Sequence, residues 1–195
     1  AREIIKRHNF KTVIKALTVK ISRNHNFSNN STVDIFSWIM DQSDLHNITS
    51  TFYFITGNSE HYAHHIFDTK YSIDHPAIRS LMIEVNKRGH KIGLHPSYNS
   101  YNNKSRLQKE LNKLRNACNQ ENIEIKNISS RMHYLRWNQP NTLLALNGIG
   151  IYYDNTMGYA DHAGFRCGTC HEYPAFDPIK KENLNIRIRP LIAME

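Results

Sequence analysis

Apolar residues recur at helical spacing in Ile78, Leu81, Met82 and Val85, between Asp74-His75-Pro76 and Gly89, which predicts a helix with an ordinary start and stop. Leu107, Leu111, Leu114 and Cys118 repeat the pattern and predict a helix over 104–120, with Cys118 a small core residue. Ile35, Phe36, Ile39 and Met40 predict another after a polar Asn/Ser stretch, and 140–147 a short one. β-branched and aromatic residues in "TSTFYFIT", 49–56, predict a strand that stops at Gly57-Asn58. Further strands are expected within "GHKIGLHPSY", over Ile128 to Leu135 and over Ile151 to Tyr153. Helix and strand alternate, which implies parallel strands with crossover helices, either as an open sheet or as a (β/α) barrel. Either arrangement gathers strand C-termini on one rim, here Asn58, His95, His133 to Trp137 and Asp154. A loop with His61, His64 and His65 follows the first of these strands.

Composition narrows the class. Aromatic residues make up 10% of the 195 positions, which argues against disorder, and no apolar run approaches the ~20 residues of a membrane span. The net charge of +8 admits anionic partners. Much of it falls on Arg2, Lys6, Arg7, Lys11, Lys15, Lys20 and Arg23, interleaved with Ile4, Ile5, Ile14, Leu17 and Ile21. That pattern reads as a basic helical segment over 1–30 with a solvated face, followed by one domain over 31–195, without a nucleic-acid partner or membrane span. The first residues also lack a signal-peptide pattern, so a cytoplasmic location is expected.

On a regular strand His90 and His95 point opposite ways, and His95 stands at the strand end where Pro96 stops pairing. A strand through "SSRMHYLRW" puts Arg131, His133 and Leu135 on one face and Tyr134 and Arg136 on the other. A guanidinium two residues from an imidazole suits a site that fixes a carboxylate and binds a metal or moves a proton. Asp154 stands at a further strand end, followed by Tyr159 and Arg166. Cys167-Gly168-Thr169-Cys170-His171 matches C-x-x-C-H, but the glycines and Pro174 around it predict a loop-shaping role and no haem.

Taken in order, "STFYFITGNS", "RGHKIGLHPSYNSY", "RMHYLRW", "YYDNTMGYADHAGFRCGTCHEYPAFD" and "RPLIAME" resemble the polysaccharide deacetylase superfamily, and within it a bacterial subfamily associated with surface-polysaccharide genes. The resemblance implies a distorted (β/α)7 barrel, here without its first strand and its C-terminal end. It implies a divalent metal, zinc first, and hydrolysis of acetyl groups on a glycan. His95 matches the first metal-binding histidine, Asn99 stands where the second is expected, and His133 is expected to complete the site. Arg131 matches the arginine that orients a catalytic aspartate, Asp154 falls in a motif lining the groove as the one candidate base, and Tyr134, Trp137, Tyr159 and Arg166 are expected to bind the sugar. The family's first strand carries an aspartate pair upstream of a region like residues 1–30, and no such pair occurs here; the chain also stops before the expected last strand with its histidine. The alternative is a glycan-binding domain of the same fold that does not cut.

Overall fold

The computed structural model describes residues 31–57, 68 and 71–194, so the basic segment 1–30, Asn58 and the three histidines at 61, 64 and 65 lie outside the described residues. The chain divides between residues 36 and 37 into two units, and all the described strands lie in the second. The elements in chain order are α1 (Ser31–Leu45), β1 (Thr51–Phe54), α2 (Pro76–Lys87), β2 (Lys91–Leu94), α3 (Lys104–Gln120), β3 (Ser129–Ser130), α4 (Asn141–Gly148), β4 (Tyr153–Asp154), β5 (Tyr173–Asp177) and β6 (Glu182–Ile188). The sheet runs β1-β2-β3-β4-β6-β5. Every pair is parallel except β5 with β6. Among the described residues no helix is long and apolar enough to cross a membrane.

Both central helices form where capping and periodicity agree. His75 caps α2 by accepting from Ala77 N at 3.2 Å, Pro76 takes the first turn, and Gly89 at φ 78° ends it in the left-handed conformation that glycine tolerates. Asn103 caps α3 by accepting from Arg106 N at 2.9 Å. Leu107, Leu111, Leu114 and Cys118 are then fully buried, as their spacing predicts. Phe52 and Phe54 of β1 point into the same core, opposite Ile92 and Leu94 of β2.

Three expectations are corrected. The strand expected over 128–135 ends at Ser130, because Met132 N donates to Thr156 Oγ1 at 3.0 Å and the chain then enters a 3-10 turn over His133–Leu135. Face alternation therefore does not govern Arg131, His133 and Arg136. The strand expected over 151–153 is instead Tyr153–Asp154. Strict helix-strand alternation also fails near the end, where β5 and β6 form an antiparallel hairpin. Its turn is built by Asp177, whose Oδ1 accepts from Ile179 N at 2.8 Å and Lys180 N at 3.2 Å, and Pro174 is tolerated because β5 is an edge strand.

Candidate functional site

His95 leaves β2 with its N–H still donating to Phe54 O at 2.9 Å, and Arg131 N, just past β3, donates to Leu94 O at 3.1 Å. Adjacent strand ends are thereby level, and the 3-10 turn after β3 folds back over β2. His95 Nε2 and His133 Nδ1 meet at 2.9 Å and share a hydrogen bond, their rings edge to face at 4.9 Å. Burial, then the neighbouring His133, lowers the His95 pKa to about 4, so the ring is neutral at physiological pH. Asp68 lies close enough to act on it with the opposite sign. Its Oδ1 accepts from Tyr98 N at 2.8 Å, and its buried Oδ2 has no hydrogen-bond partner among the described residues.

Arg131 Nε donates to Asn155 O at 3.3 Å, and its guanidinium lies 5.0 Å from the Tyr53 ring. Tyr53 in turn donates to Asn155 Oδ1 at 2.9 Å. Asp154 lies beneath the rim with no exposed surface. Its Oδ1 accepts from Thr156 N at 2.9 Å, and its Oδ2 accepts from Ser130 Oγ at 2.8 Å and Thr156 Oγ1 at 2.9 Å. Burial raises its pKa to about 6 in spite of these three donors.

Aromatic surface borders the histidines on one side. Tyr134 is 60% exposed and stands edge-on to His133 at 4.6 Å and to Tyr98 at 5.7 Å. Trp137 is half-buried and donates from Nε1 to Gln139 Oε1 at 2.9 Å. Tyr159 and Arg166 make their contacts inside the loop that carries them, Tyr159 stacked on His162 at 4.3 Å and Arg166 Nη1 donating to Gly158 O at 2.9 Å. Cys167 and Cys170, on the same loop, are free thiols.

No family model and no curated protein matches the sequence. Among solved structures, a crystal structure from Mycobacterium smegmatis, described as a candidate polysaccharide deacetylase, is similar with a TM-score of 0.53 and 16% identity, over 80% of this chain and 45% of that one. The chain has a polysaccharide deacetylase-like fold. It spans less than half the length of that structure.

The divalent metal expected from the resemblance would need nitrogen or oxygen donors at the histidine pair. His95 is neutral, as a ligand must be, but its Nε2 shares a hydrogen bond with His133 Nδ1 at 2.9 Å, so an ion would have to displace the proton between them; Asp68 keeps a buried carboxylate oxygen without a hydrogen bond among the described residues. Among the described residues, however, no three His, Cys, Asp or Glu side chains group closely enough to hold an ion. Asn99, at the position of the second expected histidine, accepts from Arg136 Nη1 at 3.2 Å.

Sequence reasoning brought His95, His133 and Tyr134 to one place, although through a strand that does not form. It placed Arg136 on the rim without a role and missed Asp68 and Glu110. The signal for Glu110 was legible: a carboxylate in phase with Leu107, Leu111 and Leu114 falls on the buried face of α3. No local pattern marks Asp68 or the role of Arg136.

Proposed function

We propose that this domain acts on an acetylated carbohydrate and removes acetyl groups by metal-assisted hydrolysis. The observation that carries the reading is the His95–His133 pair at the strand C-termini of a deacetylase-like fold. His95 and His133 would hold a divalent ion, zinc first, which would supply Lewis-acid polarisation of the acetyl carbonyl. His95 needs no deprotonation above about pH 4 to serve as a ligand. Arg131 would place positive charge beside the reacting oxygen, and Asp154 would balance it from below through Ser130 and Thr156. Tyr134 offers an exposed ring for a sugar face, and Trp137, Tyr159 and Arg166 would add contacts to it. In this reading the five parallel strands β1-β2-β3-β4-β6 are an arc of the (β/α)7 barrel that the resemblance implies.

A second reading, glycan binding without cleavage, is favoured by the Asn99 oxygen, which serves Arg136. Acetate release from acetylated chitooligosaccharides, with zinc or cobalt added, separates the two when paired with calorimetric binding of the same sugars. The first expects metal-dependent release that His95→Ala removes, at a rate about 10²–10⁴ below that of an enzyme with a positioned base, since Asp154, the carboxylate expected as base, is buried and already accepts three hydrogen bonds. Binding without release selects the second reading, and neither binding nor release rejects both.

A further inference from the structure

One guanidinium at the rim is enclosed by two aromatic rings. Arg136 Cζ lies 3.9 Å from the Tyr98 ring centroid and 4.0 Å from that of Tyr101. Two centroids so close to one carbon need a face of the guanidinium each, so the plane is sandwiched. Its Nη1 also donates to Tyr98 O at 2.8 Å and to Asn99 Oδ1 at 3.2 Å. Every one of these partners belongs to the turn that follows His95.

The residues just before Arg136 need an external hold. Tyr134 at φ 55° and Leu135 at φ 51° are consecutive non-glycine residues in the left-handed region, a conformation that persists only where its surroundings over-determine it. Within the turn the bonds are Leu135 N to Met132 O at 3.0 Å and a long Arg136 N to His133 O at 3.3 Å. The entry is pinned by Met132 N on Thr156 Oγ1. The exit is pinned by the arginine stack. Between the two pins His133 swings over β2 and reaches His95.

We propose that Arg136 is the positioning residue of the two-histidine centre, its stacked guanidinium holding the left-handed turn so that His133 Nδ1 faces His95 Nε2. Asn99 then has a task of its own, as an acceptor for the arginine at the position where the resemblance expects a metal ligand. The inference shares its site with the proposed function but uses none of that chemistry, so a failure to release acetate leaves it standing.

The test reads the hydrogen bond between the two rings by ¹⁵N-edited NMR of the full chain in buffer containing a chelator. The wild-type protein is expected to show a slowly exchanging ring N–H proton correlated with both histidines. Arg136→Ala is expected to lose that signal while the amide fingerprint of β1 and β2 is kept, and low-millimolar ethylguanidinium, too dilute to denature, should restore it. Arg136→Lys keeps the charge without the planar fork and should not restore it. Persistence of the signal in Arg136→Ala, its full return in Arg136→Lys, or its loss without recovery on adding ethylguanidinium would each overturn the assignment. Should Arg136→Ala not fold, Tyr101→Leu removes one face of the sandwich and keeps the arginine. A weakened signal then supports the proposal and an unchanged one rejects it.

Discussion

His95 resists protonation down to about pH 4, while Asp154, one parallel strand beyond β3, holds a proton up to about 6, and burial is the main cause of both. The consequences for stability have opposite signs. For His95, ordinarily near 6.5, the unfolded chain binds the extra proton, so its stabilisation is present above that value and is lost as the pH falls toward 4. For Asp154, ordinarily near 3.8, the folded chain binds the extra proton, so stabilisation present at lower pH is lost as the pH rises through 6. Over the shared interval the two offset each other. A His95→Phe variant should remove the opposing histidine contribution and leave that of the buried carboxyls, Asp154 with Glu110, so that unfolding free energy falls between pH 4 and 6, by up to about 3 kcal/mol from Asp154. Urea titrations at pH 4, 5 and 6 measure that slope, and a slope no different from that of the wild-type protein would contradict the assignment. At the same residue, His95→Ala is expected to lose any stoichiometric zinc found by elemental analysis. Unchanged metal content would remove His95 from the metal site.

Helix α3 does more than fill the core. Its Glu110 carboxylate is buried, which raises its pKa, and it accepts from Ser97 N at 2.8 Å, from Ser100 Oγ at 2.6 Å and from Ser97 Oγ. The helix thus grips the turn that begins two residues after His95. Thr56 Oγ1 donates to Glu110 O at 2.8 Å, and a methyl group on Gly57 would meet the carboxylate. Glu110→Ala leaves Ser97 N and one of the two serine hydroxyls without an acceptor, the other hydroxyl keeping the Ser97 Oγ–Ser100 Oγ bond at 2.8 Å, and should cost about 2–4 kcal/mol, whereas Gly57→Ala should cost about 1–3 kcal/mol through overpacking, both read as urea midpoints. A loss under 0.5 kcal/mol in Glu110→Ala, on the order of an ordinary surface change, would mean that water replaces those bonds. At this scale α2 and α3 were legible because 3.6-residue periodicity and caps agree over several turns. β3 and β4 are two residues each, too short for any period to register, and Pro174 hid β5 by arguing against a strand. The turn at Tyr134 and Leu135 was illegible because nothing in "HYL" announces left-handed backbone, which is imposed by partners distant in sequence. The strand-end position of His95 was therefore readable, while the route of His133 to it was not.

Among the described residues of 37–194, order follows burial. Ile92, Gly93 and Leu94 sit in the interior of the sheet, whereas most residues over 159–171 are exposed and the loop's own backbone bonds are Gly164 N to Ile192 O and Gly168 N to Phe165 O, each at 2.8 Å. Among the described residues, hydrogen exchange should find the β2 amides among the slowest and the loop amides other than those of residues 164, 168 and 171 among the fastest, the last of these donating to Thr169 Oγ1 at 3.0 Å. Protection of the whole loop at the β2 level would show that something besides these bonds holds it. The distribution of thiols along the same gradient has a practical side. Cys118, buried in α3 with its pKa pushed up to about 11, is shielded from electrophiles, while Cys167 is half-exposed and Cys170 is exposed on the loop beside Tyr159 and Arg166. A maleimide dye added near neutral pH should therefore attach to the loop and spare the helix. The molecule carries its own attachment point for a fluorophore, close in sequence to the side chains expected to meet a sugar, and no cysteine needs to be engineered.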